Sequence, residues 1–136
     1  MTRAGFGALA AALLLGGCGG GVTSPDLFLV TRTGTIPGAR LTMLVNDGGY
    51  VTCDGRQHQL PSQRLLDARD LLREMKPYAK ESLRLPPGPQ SILRYRVRTE
   101  FGTLSFADDS RGVPAKLYPL ALFVRQVAQG VCGLAR

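Results

Sequence analysis

Ser91-Ile92-Leu93-Arg94-Tyr95-Arg96-Val97-Arg98-Thr99 alternates without a break. Leu93, Tyr95, Val97 and Thr99 take one set of positions, and Arg94, Arg96 and Arg98 take the other. Successive side chains of a strand point to opposite sides, so this stretch predicts a half-buried strand with one apolar and one cationic face. Glu100-Phe101-Gly102 reads as a turn, and Thr103 to Ala107 returns with Leu104 and Phe106 facing inward. Such a hairpin needs a cover on one side only. That points to an antiparallel sheet in an α+β domain.

The segments on either side fit the same plan. Leu27 to Thr33 is rich in β-branched and large apolar residues and predicts an opening strand, punctuated by Gly34-Thr35-Ile36-Pro37-Gly38. Arg40 to Asn46 alternates, with Leu41, Met43 and Val45 on one face. Asp47-Gly48-Gly49 is a hairpin turn into Tyr50-Val51-Thr52-Cys53, and Asp54-Gly55 is a second turn. Ser62 after Pro61 predicts the N-cap of a helix running to about Met75 or Lys76, with Leu65, Ala68, Leu72 and Met75 as its apolar stripe. Pro77 is expected to stop or kink it. Leu85-Pro86-Pro87-Gly88-Pro89 predicts an extended connection.

Pro114 suits a first helical turn, and the last helix continues to about Gln129 with Leu117, Leu120, Val124 and Val127 on one face. Pro119 lies close enough to that start to be tolerated. The expected order is β-β-β-α-β-β-α: a sheet of about five strands with two helices on one face.

Composition bounds the class. A chain of 136 residues with 44% hydrophobic content buries a single modest core, which excludes a large multidomain enzyme, a solenoid and a polytopic membrane protein. The 17 glycines and 9 prolines show no repeat, so collagen-like and low-complexity classes are excluded too. The net charge is +7, carried mostly by arginine.

The first residues give an address. Arg3 precedes an apolar run from Ala4 to Leu15, which as a helix would span only about 18 Å. A hydrocarbon core is about 30 Å thick, so the layout is that of an export signal rather than a membrane span. Leu15-Gly16-Gly17-Cys18 then resembles the lipobox of bacterial lipoproteins. That resemblance implies removal of residues 1–17 and a diacylglycerol on the Cys18 thiol. It places the protein on the extracytoplasmic face of the cell membrane, with the bilayer itself as a partner. Residues 18–25 form a flexible tether and residues 26–136 one globular domain. The arginine-rich, lysine-poor make-up is similar to that of lipoproteins from high-GC actinobacteria. With Cys18 assigned to lipid, Cys53 and Cys132 remain as a pair, expected to be oxidised outside the cytoplasm.

Chemistry-bearing patterns are few. His58 is the sole histidine and sits among Arg56, Gln57 and Gln59, with no ligand set for zinc and no nucleophile elbow for a triad. Asp108-Asp109 could bind a cation or act as an acid pair. The better reading is that Asp108, Asp109 or Ser110 ends a strand and helps satisfy the start of the following helix. Asp47 and Asp54 precede glycine and read as turn residues. No phosphate-cradling glycine loop or dinucleotide fingerprint occurs, so no cofactor and no metal are expected. The Arg94/Arg96/Arg98 stripe is the distinctive surface feature, suited to acidic envelope polymers, anionic lipid headgroups or an acidic partner. Exposed aromatics for base stacking are missing beside it, so nucleic acid is not expected.

From about Leu27 to Ala128 the chain resembles emfourin-type domains, small bacterial inhibitors of thermolysin-like metalloproteases. The shared features are an opening strand into Gly34-x-x-x-Gly38, a helix, Tyr95-x-Val97, a turn at Gly102, Phe106-x-Asp108, and a Pro114-x-x-Leu117-x-x-Leu120 helix. The lipid anchor, the Cys53/Cys132 pair and the double turn from Asp47 to Gly55 depart from that pattern, so no inhibitory residue is carried over. Three expectations follow. The preferred one is a lipid-anchored, non-enzymatic module that binds a protein, such as a secreted metalloprotease. The alternative is an envelope component whose arginine face holds anionic polymer or lipid. An enzyme using Asp108 or Asp109 is a third.

Overall fold

A computed structural model describes residues 23–134 of the chain. It is an α+β fold with strands β1 (Asp26–Gly34), β2 (Leu41–Asn46), β3 (Tyr50–Cys53), β4 (Arg56–Gln59), β5 (Leu93–Thr99) and β6 (Gly102–Ala107). Helix α1 (Ser62–Lys80) follows β4, and α2 (Tyr118–Gly130) closes the chain after a 3₁₀ turn at Ala115–Leu117. The strands form one antiparallel sheet in the order β4-β3-β2-β1-β5-β6.

The inward face is assembled from the alternating positions. Phe28 and Val30 of β1, Leu41, Met43 and Val45 of β2, Val51 and Cys53 of β3, Tyr95 and Val97 of β5, and Leu104 and Phe106 of β6 are all buried. The helices supply the other half of the core. Leu117, Leu120, Val124 and Val127 are fully buried, and Phe123 meets Phe28 edge to face at 6.0 Å. On α1 the buried positions are Ala68, Leu71, Met75 and Ala79, with Leu65 and Leu72 packed at the margin.

Three local readings are corrected. First, the sheet has a sixth strand. Asp54 (φ 47°) and Gly55 (φ +83°) both adopt the left-handed conformation of a tight hairpin turn, and Arg56–Gln59 returns along β3. Second, Ser62 is the first helical residue and Pro61 takes the N-cap position without a side-chain hydrogen bond. Third, α1 passes through Pro77 to Lys80. Near a helix C-terminus a proline removes one backbone bond. The helix on both sides of it is held by tertiary contacts: Ala79 beyond it is buried, and Lys76 before it sets Nζ 4.6 Å from the Phe101 ring centroid. Pro119 sits in the first turn of α2, where its missing N–H costs nothing.

Cys53, at the end of β3, and Cys132, beyond α2, lie at disulfide distance, with Cα atoms 6.3 Å apart. The pair joins the β3 side of the sheet to the end of the helical layer.

Tyr95 stacks on its cross-strand partner Phe106, with ring centroids 5.4 Å apart. Burial pushes its phenol above the ordinary tyrosine value of 10.0. Arg32 opposes that rise, Asp108 adds to it, and Arg125 opposes it. The raised value means that the unfolded chain ionises first as pH climbs. The contribution to stability is therefore full below pH 10.0 and is lost as pH rises through the folded value. Tyr95→Phe is expected to flatten the alkaline decline of the urea midpoint; an unchanged slope would assign that decline to other groups.

Candidate functional site

The sheet has a second face that no helix covers. Its positions follow from the register. On β5 they are Arg94, Arg96 and Arg98, all exposed. Thr33 and Thr31 of β1 lie directly opposite Arg94 and Arg96, and Leu29 lies opposite Arg98. On the other side β6 sets Ala107, Ser105 and Thr103 against the same three arginines. Continuing across β2, β3 and β4, the open positions are Thr42, Leu44, Asn46, Tyr50, Thr52, Gln57 and Gln59. The one acidic residue in register with them is Asp26 of β1, which lies opposite Asn46 and accepts from its Nδ2 at 3.1 Å.

Alternate residues of a strand are about 6–7 Å apart, so the three guanidinium groups form a row flanked by hydroxyls. None of them makes an ion pair among the described residues. Their mutual repulsion in water is below about 1 kcal/mol per pair and is screened by salt, so the fold bears the row at little cost. Any polyanion laid along it would meet three unpaired charges.

Arg94 and Arg96, together with Thr31, Thr33 and Ser105, line a shallow groove of about 290 Å³ whose wall includes Leu85 and Pro87. That wall is fastened to β6. Leu85 N–H donates to the Ser105 carbonyl, and Ser105 N–H donates to the Leu83 carbonyl, each at 2.9 Å. At the opposite end Arg98 borders a recess of about 260 Å³ with Leu29, Leu44, Asp26 and Glu100, so the acids gather past the end of the row.

The structure corrects the role of Asp108 and Asp109. Their carboxylates turn back to the proline-rich connection rather than forward to the last helix. Asp109 accepts from Gly88 N–H at 2.8 Å and Gln90 N–H at 2.9 Å. Asp108 accepts from Ile92 N–H at 3.0 Å and Leu93 N–H at 3.1 Å. Ser110 Oγ accepts from Ala107 N–H and donates to the Pro86 carbonyl, both at 2.8 Å. Prolines leave this segment with few donors, and these three side chains take up the N–H groups of Gly88, Gln90, Ile92 and Leu93 and the Pro86 carbonyl. All four carboxylate oxygens are thereby engaged in holding the groove wall.

No family model, curated protein or solved structure matches this chain.

His58 lies partly buried on edge strand β4, opposite Val51. Asp54 stays a turn residue: its carboxylate accepts from Thr42 N–H at 2.8 Å. Asp47 adds an ion pair to Arg69 at 2.6 Å. Among the described residues no group of three or more His, Cys, Asp or Glu is placed to hold a metal ion, and no helix is long and apolar enough to cross a membrane. The lipobox and Cys18 lie outside the described residues.

One residue escaped the sequence reading. Arg32 is buried on the inward face of β1, and it is the only charged residue among the described ones that the fold buries. Its parity with Phe28 and Val30 is the signal that could have found it.

Proposed function

We propose that this chain is a non-enzymatic envelope binding module, anchored by lipid on Cys18 to the outer face of the cell membrane, whose open sheet face takes a polyanionic envelope polymer. The observation that supports this reading is the unpaired Arg94/Arg96/Arg98 row, whose face carries a single acidic position, Asp26, engaged with Asn46 beyond the end of the row. Protein interfaces draw most of their affinity from aromatic and apolar anchors near the centre of the patch. Here the centre is guanidinium and hydroxyl, and Leu29, Leu44 and Tyr50 lie to one side of it. That distribution favours a flexible anion over an apolar protein surface.

The test is binding to a poly(glycerol phosphate) polymer at two ionic strengths. The parent should bind, and binding should weaken with salt as screening shortens the reach of each charge. Each cation near an anionic surface contributes about 1 kcal/mol, so Arg94→Ser/Arg96→Ser/Arg98→Ser should lose roughly 100-fold in affinity. Its melting temperature should not change, because all three side chains are exposed. Equal binding by the triple variant would sink the polymer reading. Inhibition of a thermolysin-like peptidase by the parent would instead favour the emfourin-like alternative. Intact mass of the membrane-extracted protein tests the anchor: a diacylglycerol-modified chain beginning at Cys18 is expected.

A further inference from the structure

Arg32 poses a problem that the open face does not answer. It is only 8% exposed, on the inward side of β1 and directly opposite Tyr95. Its Nε donates to the Ala39 carbonyl at 2.8 Å and its Nη2 to the Gly38 carbonyl at 3.2 Å. Those bonds occupy one edge of the guanidinium. Nη1 bonds to no protein acceptor but is not sealed in the core, so the free edge of the guanidinium is open to solvent, and Arg32 makes no ion pair among the described residues. A buried cation is costly unless an anion or a full set of acceptors meets it. Asp108, which acts on the neighbouring Tyr95, is already held by the N–H groups of Ile92 and Leu93.

The guanidinium borders a cavity of about 480 Å³ between the end of β1 and the last turns of α2. Arg125, Gln126 and Gln129 line it from α2, and Ile36 and Leu93 add apolar surface. The volume falls in the range of small-molecule sites, about 300–1,000 Å³. Two guanidinium groups over one cavity suit a carboxylate, because a planar fork matches two carboxylate oxygens. The apolar residues call for an organic body on that carboxylate, and the two glutamine amides can both donate to and accept from an adjoining amide.

We propose that this cavity binds a small organic carboxylate. The free edge of Arg32 and the Arg125 guanidinium hold the carboxylate group, Gln126 and Gln129 bond a neighbouring amide, and Ile36 and Leu93 contact the apolar part. The site lies on the helical side of the sheet and is independent of the polyanion face.

The probe is N-acetyl-leucine, titrated into the detergent-solubilised full chain and followed by ¹⁵N NMR. N-acetyl-leucine amide, which lacks the carboxylate, and inorganic phosphate are the controls. The expected result is a saturable shift at Arg32 Nε–H and at the Gly38, Ala39 and Gln129 amides, with the neutral amide at least about tenfold weaker. Arg32→Met removes the buried charge but risks the fold, so the deciding variant is Arg125→Gln, at an exposed helix position. It should fold as the parent does and bind about tenfold more weakly. The proposal is overturned if the parent shows no saturable shift. It is equally overturned if the neutral amide binds as well as the acid, if phosphate binds and N-acetyl-leucine does not, or if Arg125→Gln leaves affinity unchanged.

Discussion

The double variant Cys53→Ser/Cys132→Ser should melt about 10–20 °C below the parent. The two cysteines are 79 positions apart, so a bond between them closes most of the folded chain into one loop. On the chain-entropy account such a loop removes about 4–5 kcal/mol of freedom from the unfolded state, and native bonds typically deliver about 2–4 kcal/mol. A domain of this size moves by several degrees per kcal/mol, which sets the expected range. The location adds to the effect. Helix α1 packs over β1, β5 and β6, away from the β3 end of the sheet where Cys53 lies. A bond between the cysteines would tie that side to the chain beyond α2. Differential scanning calorimetry of the parent, the reduced parent and the double variant checks this. Reduced parent and variant should coincide, and a variant within about 2 °C of the oxidised parent would show the tie to be thermally irrelevant.

Gly102→Ala is expected to destabilise the protein by about 3–5 kcal/mol, enough to threaten folding. Gly102 opens β6 with φ +141°, a backbone conformation that side chains resist. A Cβ there would also press far inside contact distance of the Ala79 carbonyl oxygen, at the buried last turn of α1. Neither partner is a flexible side chain, so helix and hairpin would have to separate. Gly112→Ala separates the two causes. Gly112 has φ +75° but nothing within 4 Å of its Cβ position, so it bears only the conformational cost of about 1–2 kcal/mol. Urea midpoints of the two variants should differ by more than their errors. Equal losses would mean that close packing against Ala79 contributes nothing.

Period carried most of the architecture. Leu93, Tyr95 and Val97 alternate with three arginines because one face is buried and the other wet, and the structure keeps every arginine of the row outside. The stripe Leu117, Leu120, Val124 and Val127 is fully buried, since a 3.6-residue repeat leaves only one face that can meet the sheet. β4 left no such trace. Arg56-Gln57-His58-Gln59 has no apolar residue, and it is a strand because β3 offers unpaired backbone groups beside a tight turn. Pro77 misled for a related reason. Local propensity predicts a stop or a kink near Met75 or Lys76, whereas burial of Ala79 against the hairpin carries the helix on to Lys80.

The candidate site was partly legible. The arginine row was visible from spacing alone, and its β6 flank follows from the predicted hairpin, but the threonines on its other side come from β1, distant in sequence. Only the register of β1 reveals them. Asp108 and Asp109 were legible as structural acids but not in direction. Their donors lie about 15–20 residues upstream in the proline-rich connection, beyond the reach of local capping rules. Arg32 was hidden by its flanking threonines, which make the end of β1 look solvated.

One margin of the sheet is bridged by the chain itself, where Leu83 and Leu85 bond to Ser105, and the other is written in arginine, glutamine and histidine. An open row of backbone donors and acceptors is a template on which identical copies could stitch themselves into ribbons. Covering part of one border and making the other hydrophilic works against such stitching.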